Sequence, residues 1–150
     1  MTMRFDRPFE QYVQGETFKT RGRTVTEADI VHFAGVSGDF FPLHVDERYA
    51  QTTRFGERIA HGMLTLSLAT GLYVLSPDYV IAFYGLDRVR FLKPVLIGDT
   101  LHLEGEVIDL KDRGEAGLVS VRQQIMCGEE VVVTAVIHML VKKGHASDRL

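Results

Sequence analysis

Apolar and polar positions are arranged in two different ways along this 150-residue chain. In the first half, apolar residues between positions 30 and 34 recur at the spacing of an α-helix. Thr26 and Asp29 resemble a capping box at the start of that helix, and Gly38 is well placed to end it in a left-handed conformation. Asp46 can cap a second, short helix. The first half is therefore predicted to be helical.

The most apolar stretch runs from Met63 to Leu75 and presents apolar residues on nearly every face. A helix that is hydrophobic all round is a buried one, so this stretch predicts a long helix enclosed by the rest of the fold. Ser76 and Pro77 are expected to end it, because a residue that precedes proline avoids the helical region.

The second half of the chain has the period of β-strands. Leu101, Leu103 and Val107 alternate with polar residues, as a strand with one buried face requires. The predicted strands are 17–25 (the weakest candidate), 80–93 with a bulge or break at Gly85, 101–107, 118–127 and 131–141. A turn at Gly128 and Glu129 joins the last two as a hairpin. One strand, then helices, then four strands predict an α+β fold in which a largely antiparallel sheet wraps the apolar helix.

Composition and charge exclude several classes of protein. Hydrophobic residues make up 45% of the chain and charged residues 25%, and the net charge of -3 gives no electrostatic reason to expect nucleic acid or an anionic membrane as a partner. The one cysteine, Cys127, rules out an intrachain disulfide and is expected to be a buried, unreactive thiol. No secretory or membrane-spanning segment is recognisable. We expect a single cytoplasmic domain over residues 1–150, with a charged tail at 142–150.

The segment from 37 to 46 carries the most informative chemistry. It contains a carboxylate, Asp39, and an imidazole, His44, five residues apart in a loop that Pro42 stiffens. An ionised carboxylate beside an imidazole near its midpoint can accept one proton and deliver another. The alternative is a loop in which Asp39 only caps a turn and His44 is half-buried.

A second candidate feature precedes the apolar helix. Gly62 has no side chain, so a ligand can approach its amide, and amides at a helix N-terminus suit a developing oxyanion. The alternative is that Gly62 only permits a tight turn into the helix. His61 is expected to project elsewhere.

Three motifs together resemble the MaoC-type dehydratases, the family of (R)-specific enoyl-CoA hydratases. They read SGDFFPLHVD at 37–46, AHGM at 60–63, and RFLKPV at 90–95 followed by GDTL at 98–101. The likeness extends over residues 8 to 142. It implies a hot-dog fold, with a curved antiparallel sheet around a long central helix, and a homodimer.

The resemblance also implies the activity, which is reversible addition of water to a 2-enoyl thioester to give a 3-hydroxyacyl thioester. Asp39 and His44 would hold the catalytic water, and the Gly62 amide would stabilise charge on the thioester oxygen. The residues expected at the substrate or its oxyanion are Gly62, His61, Phe41 and Met63. The substrate would be an acyl-CoA, and neither a cofactor nor a metal is implied. Arg88, Arg90 and Lys93 could meet the phosphates of CoA, or could form a solvated strand face.

One position departs from the family pattern, because Phe41 stands where the family usually has asparagine before proline. The change removes a polar group from the catalytic loop, which favours a small, branched or dicarboxylic acyl group over a plain straight chain. Two other functions stay open, a hot-dog thioesterase and a non-catalytic acyl-CoA-binding protein. The predicted helix 63–75 lacks the carboxylate on which such thioesterases generally rely.

Overall fold

The computed structural model describes residues 3–144. The helices are α1 (Glu27–Ser37), α2 (Pro42–Val45), α3 (Glu47–Gln51) and α4 (Gly62–Thr70), with a 3-10 helix at Phe9–Gln11. The strands are β1 (Arg4–Phe5), β2 (Thr17–Lys19), β3 (Arg23–Thr24), β4 (Val74–Leu75), β5 (Val80–Phe91), β6 (Thr100–Asp112), β7 (Ala116–Cys127) and β8 (Glu130–Lys142). This order confirms the predicted α+β class.

The main sheet has six antiparallel strands. Its order is β2-β6-β7-β8-β5, and β3 also pairs with β6. The predicted hairpin joins β7 to β8, and Gly128 supplies the positive φ of 60° that the turn requires. The predicted irregularity at Gly85 is also present, as a shift in register on β5. The sequence between 17 and 25 forms two short strands instead of one.

The inner face of the sheet packs against α4. Leu64, Leu66 and Ala69 of this helix join one apolar cluster with buried residues of the strands, among them Leu103 and Ile137. Because those apolar side chains leave water together, the burial stabilises both the helix and the sheet. No helix within residues 3–144 has the length and apolar character needed to cross a bilayer.

The predicted central helix is wrong at its C-terminal end. The helix stops at Thr70, whose hydroxyl donates to the Ser67 carbonyl, and Gly71 follows as its cap. Val74 and Leu75 instead form β4, which pairs in parallel with β1 near the N-terminus. Pairing with a distant strand satisfies the backbone of these residues, so the apolar run does not continue as helix.

Local capping signals orient the loop that follows α1. Thr26 and Asp29 form the predicted capping box, with both hydrogen bonds present. Gly38 ends α1 with φ of 79°, in the left-handed region. Asp46 caps α3 by accepting from the Tyr49 amide at 3.1 Å. The segment between these caps is thus held at both ends.

The prediction of a charged tail at 142–150 is wrong for its first residue. Lys142 belongs to β8, and Lys143 forms an ion pair with Asp112 at 2.8 Å. Residues 145–150 lie outside the described part of the chain.

A buried side-chain hydrogen bond links the end of the α4 segment to the sheet. The Tyr73 hydroxyl donates to Oε1 of Gln123 at 2.5 Å, and both side chains are buried. Tyr73→Phe leaves the Gln123 oxygen without its donor, so we expect the free energy of unfolding to fall by about 1–3 kcal/mol in urea titrations. Tyr84→Phe is the matched control, since this hydroxyl has no hydrogen bond within residues 3–144. Equal effects of the two substitutions would contradict the assignment.

Candidate active site

The loop after α1 fixes the Asp39 side chain through backbone contacts. The Asp39 amide donates to the Ser37 hydroxyl at 3.1 Å, and Oδ1 of Asp39 accepts from the Phe41 amide at 3.1 Å. These bonds resemble the short side-chain turns that Ser and Asp commonly make. One carboxylate oxygen is therefore held by the backbone, while the exposed side chain leaves the other available to a reactant.

His44 lies in the single-turn helix α2, which begins at Pro42. The sequence placed His44 in a loop, and a proline at the first helical position explains the turn of helix. Its Nδ1 lies 2.8 Å from the Ile59 carbonyl oxygen. Because a carbonyl only accepts, Nδ1 carries the proton and Nε2 keeps a lone pair. His44 as a whole residue is 9% exposed, so the ring is largely screened from bulk water except where it lines the cleft.

The surroundings of His44 favour its neutral form. Burial is the largest cause and lowers the pKa of His44 below its ordinary value near 6.5. The bond to Ile59 and the charge of Asp39 raise the pKa, and His61 lowers it. The net direction is downward, so His44 is available as a base at neutral pH.

The expectation that the His61 side chain projects away from the site is wrong. Its side chain is 2% exposed and its ring stacks on His44, with centroids 4.0 Å apart and an interplanar angle of 26°. Nε2 of His61 lies 2.9 Å from the backbone carbonyl oxygen of Asp39. Phe33 packs against the same ring in an edge-to-face arrangement, with centroids 4.9 Å apart. His61 therefore lies beneath the loop that carries the two candidate catalytic groups.

Asp39, His44 and His61 form the one cluster of possible metal ligands found within residues 3–144. One ligand atom from each lies within 4.8 Å of the others. A metal bound by two imidazoles lies near the plane of each ring. The two rings here are stacked and only 26° from parallel, so their in-plane lone pairs do not meet at one point. In this arrangement the two rings do not direct their lone pairs at a common ligand.

A cleft of about 530 Å³ opens beside His44. His44, Gly62 and Met63, all predicted site residues, line it. Its wall also includes Phe91 and Lys93 at the end of β5. Apolar side chains predominate, with few polar groups, which is the usual character of a small-molecule site.

Gly62 is the first residue of α4 and faces that cleft. The side chain of His61, at the N-cap, makes no capping hydrogen bond, so it leaves the first-turn amides to another acceptor. A Cβ on Gly62 would lie 2.6 Å from Cε1 of Phe91, too close for any real contact. A side chain here would have to displace the half-exposed Phe91 ring, which packs over Gly62. The place of Gly62 in the first turn of α4 agrees with the predicted amide seat for an oxyanion, which stays a prediction.

The other two predicted substrate residues differ in position. Met63 is 58% exposed on the cleft wall. Phe41 does not line the cleft. Its ring packs edge-to-face with His44 and with Tyr49, with ring centroids 5.8 Å and 6.2 Å apart. Asp39 lies beside the cleft without lining it.

Sequence reasoning missed two elements of the site. The Ile59 carbonyl that fixes the His44 tautomer is a backbone group, and no side-chain pattern marks it. Phe91 was read only as part of a strand, and its contact with Gly62 depends on the fold. Of Arg88, Arg90 and Lys93, which the sequence suggested for phosphate binding, Lys93 lines the cleft. Arg54, which the sequence did not suggest, also lines it.

The protonation of His44 can be measured directly. In long-range ¹H–¹⁵N spectra we expect the Nδ1–H tautomer and a pKa below 6.5, with the resonance assigned by its absence from His44→Gln. The folded state then binds this proton less readily than the unfolded chain does. The stabilisation is complete above pH 6.5 and is lost as pH falls through the folded pKa. An Nε2–H tautomer, or a pKa at or above 6.5, would contradict the geometry.

Comparison with known sequences identifies relatives of this chain. The family model described as MaoC like domain matches residues 9–127. Protein MaoC of Klebsiella aerogenes is 45% identical over 100 residues, which are 66% of this chain and 30% of that protein. The (R)-specific enoyl-CoA hydratase of Rhodospirillum rubrum is 43% identical over 62% of this chain and 64% of its own length. The chain thus spans less than two thirds of each. The 3-hydroxybutyryl-CoA dehydratase of Methylorubrum extorquens is 33% identical over 85% of this chain and 80% of that one.

Solved structures agree on the fold. An Archaeoglobus protein described as a monoamine oxidase regulatory protein superposes with a TM-score of 0.86 at 39% identity, covering 97% of this chain and 100% of that one. The R-hydratase PhaJ1 of Pseudomonas aeruginosa gives 0.72 at 31% identity, over 91% and 86%. A Mycobacterium tuberculosis protein with a double hotdog fold gives 0.82 at 21% identity, over 93% and 45%. These likenesses confirm the predicted hot-dog fold.

Proposed function

Since the chain belongs to the family of MaoC-like domains, we propose that it catalyses the reversible addition of water to a 2-enoyl thioester, which yields a 3-hydroxyacyl thioester. One observation carries the proposal. The His44 imidazole, which burial keeps neutral, lines an apolar cleft together with Gly62, and a carboxylate oxygen of Asp39 lies within 4.8 Å of a ring nitrogen of His44 beside that cleft. Each relative named as a hydratase or dehydratase supports the reaction class.

The chemistry follows from what each group can do. A water molecule between Asp39 and His44 attacks the β-carbon of the double bond, and the pair takes up a proton from that water. The π-electrons move towards the thioester carbonyl, and its oxygen gains negative charge. The Gly62 amide, at the positive end of α4, stabilises that charge. The pair then delivers a proton to the α-carbon, which restores the carbonyl and completes the 3-hydroxyacyl product.

Coenzyme A is the proposed carrier of the acyl group. Arg54 and Lys93 both line the cleft, and their positive charges suit the phosphates of CoA. Lys93 is paired with Glu130 at 2.8 Å, but both side chains are about half exposed or more, so the pair is weak and can open. Thioesters of N-acetylcysteamine lack these phosphates. Equal kcat/KM for CoA and N-acetylcysteamine thioesters would count against a phosphate contact.

The acyl group proposed is small, branched or dicarboxylic. Phe41 replaces a polar side chain in the catalytic loop and packs against His44 and Tyr49. The loop therefore presents an apolar ring next to the base in place of an amide. A panel in which straight-chain crotonyl-type thioesters rank first would argue against this preference.

The decisive measurement follows the absorbance of the conjugated enoyl group. With the wild-type protein we expect that absorbance to fall as water adds to a 2-enoyl-CoA. Asp39→Asn and His44→Ala each remove one acid–base group, so we expect kcat to fall by about 100- to 10,000-fold. Asp78→Asn, in an exposed turn, and His32→Ala, exposed on α1, are matched controls that keep the wild-type rate.

Other outcomes of this assay identify other functions. Release of free CoA thiol from saturated substrates indicates a thioesterase. Binding of acyl-CoA without turnover of any enoyl or 3-hydroxyacyl substrate indicates a non-catalytic binding protein. Either result overturns the hydratase proposal.

A homodimer is the proposed assembly. β5 is an edge strand of 12 residues, and apolar side chains on both of its faces are exposed. A long apolar edge is avoided on monomers because it pairs with other chains. β5 also ends in the wall of the cleft, at Phe91. A second copy on this edge would cover the strand and help to enclose the substrate.

Light scattering after size-exclusion chromatography tests the assembly. We expect a mass twice that of the 16.9 kDa chain. Phe83→Lys with Tyr84→Lys places charges on both faces of the edge and should shift the mass to that of one chain. Val13→Lys, at an exposed apolar position near the opposite edge of the sheet, should leave the dimer intact. A wild-type mass of one chain would refute the dimer.

A further inference from the structure

His61 is the buried polar side chain of the site to which the reaction gives no role. It is 2% exposed and does not line the cleft. Its bond to the Asp39 carbonyl assigns a proton to Nε2. Nδ1 then has no hydrogen-bond partner within residues 3–144. An unpaired buried nitrogen lowers the free energy of unfolding, so an apolar residue of similar size would make the core more stable.

What the imidazole provides is contact with both catalytic groups at once. Through Nε2 it holds the backbone of Asp39 at 2.9 Å, and through its face it supports the ring of His44 at 4.0 Å. Phe33 of α1 packs edge-on against it, so the ring is itself fixed by the core. His61 comes from the N-cap of α4, and that helix is anchored in the sheet. Three separate segments therefore meet on this one side chain.

We propose that His61 is a positioning residue. It fixes the Asp39 carboxylate and the His44 base relative to each other without touching the substrate. The inference rests on the proposed acid–base roles of Asp39 and His44. Its bond to the carbonyl prevents the 38–41 loop from lifting away from α4. The stacked ring of His61 also holds the orientation of the His44 imidazole. In this orientation Nδ1 of His44 reaches the Ile59 carbonyl, and Nε2 of His44 points away from that carbonyl. Small displacements of such groups are enough to reduce the rate strongly.

The stacking has an electrostatic consequence as well. Burial and His61 lower the pKa of His44, while the Ile59 carbonyl and Asp39 raise it. Other charged groups around His44 include Arg58, whose Nε donates to the His44 carbonyl and whose guanidinium pairs with Glu27 at 2.6 Å. Asp46 caps the next helix, and Arg54 and Lys93 lie in the cleft. Removal of the His61 imidazole takes away one influence that lowers the pKa of His44. We therefore expect the pKa of His44 to rise and the acid limb of kcat/KM to move to higher pH.

Two substitutions separate the contributions of His61. His61→Leu keeps apolar volume and removes both the hydrogen bond and the imidazole. His61→Gln keeps an amide donor that can reach the Asp39 carbonyl and removes the ring. We expect kcat of the leucine variant to fall about 10- to 100-fold, with KM nearly unchanged because His61 does not line the cleft. The glutamine variant should recover part of kcat. His32→Leu, exposed on α1, is the control and keeps the wild-type kcat.

The pH profile and the histidine spectra distinguish positioning from a merely structural role. In both His61 variants we expect the acid limb of kcat/KM, and the pKa of His44 read by NMR, to rise. A structural role alone would lower the free energy of unfolding and leave both unmoved. If the leucine variant does not fold, the glutamine variant carries the test, and an unshifted His44 pKa in it overturns the proposal.

Two kinetic results also overturn it. One is a folded leucine variant with the kcat of the wild type. The other is an increased KM at unchanged kcat, which would make His61 a substrate contact. If the wild-type protein hydrates no enoyl thioester, the proposed function fails, whereas the His44 spectra of the variants still decide whether His61 positions that ring.

Discussion

The packing of α4 against the inner face of the sheet is the constraint on which the site depends. A helix this short gains little stability from its own hydrogen bonds, so burial of Leu64, Leu66 and Ala69 must hold it in place. Because the helix begins at Gly62, the same packing fixes its first amides beside the cleft. His61, one residue earlier, then ties the loop of Asp39 to the helix. Hydrophobic burial in the core thus determines the positions of the polar groups of the candidate site.

Features determined by neighbouring residues were predicted well from the sequence. The Thr26 capping box, the left-handed Gly38 and the hairpin at Gly128 each depend on a few adjacent positions, and each is present. The end of the apolar helix was predicted wrongly, because residues 74–75 pair with a strand some 70 positions earlier along the chain. Periodicity within a window carries no information about such a partner.

The candidate site shows the same division between local and distant information. The spacing of Asp39 and His44 indicated acid–base chemistry, and their closeness in space agrees with it. The orientation of His61 could not be read from its neighbour Gly62, since an extended backbone at the N-cap turns the side chain away from the helix and under the loop. The hydrogen bond from His44 to Ile59 involves a backbone carbonyl, which every residue possesses.

The proposed acid–base groups and much of the wall of the cleft come from different parts of the polypeptide. Asp39, His44 and Gly62 lie within one continuous stretch of about two dozen residues, whereas much of the opposite wall is formed by residues 91–95. Substitutions in residues 91–95 would therefore change the shape of the cleft without altering the segment that carries the two titratable groups. Under the proposed function, the space for the ligand can vary through the end of one strand independently of the acid–base pair.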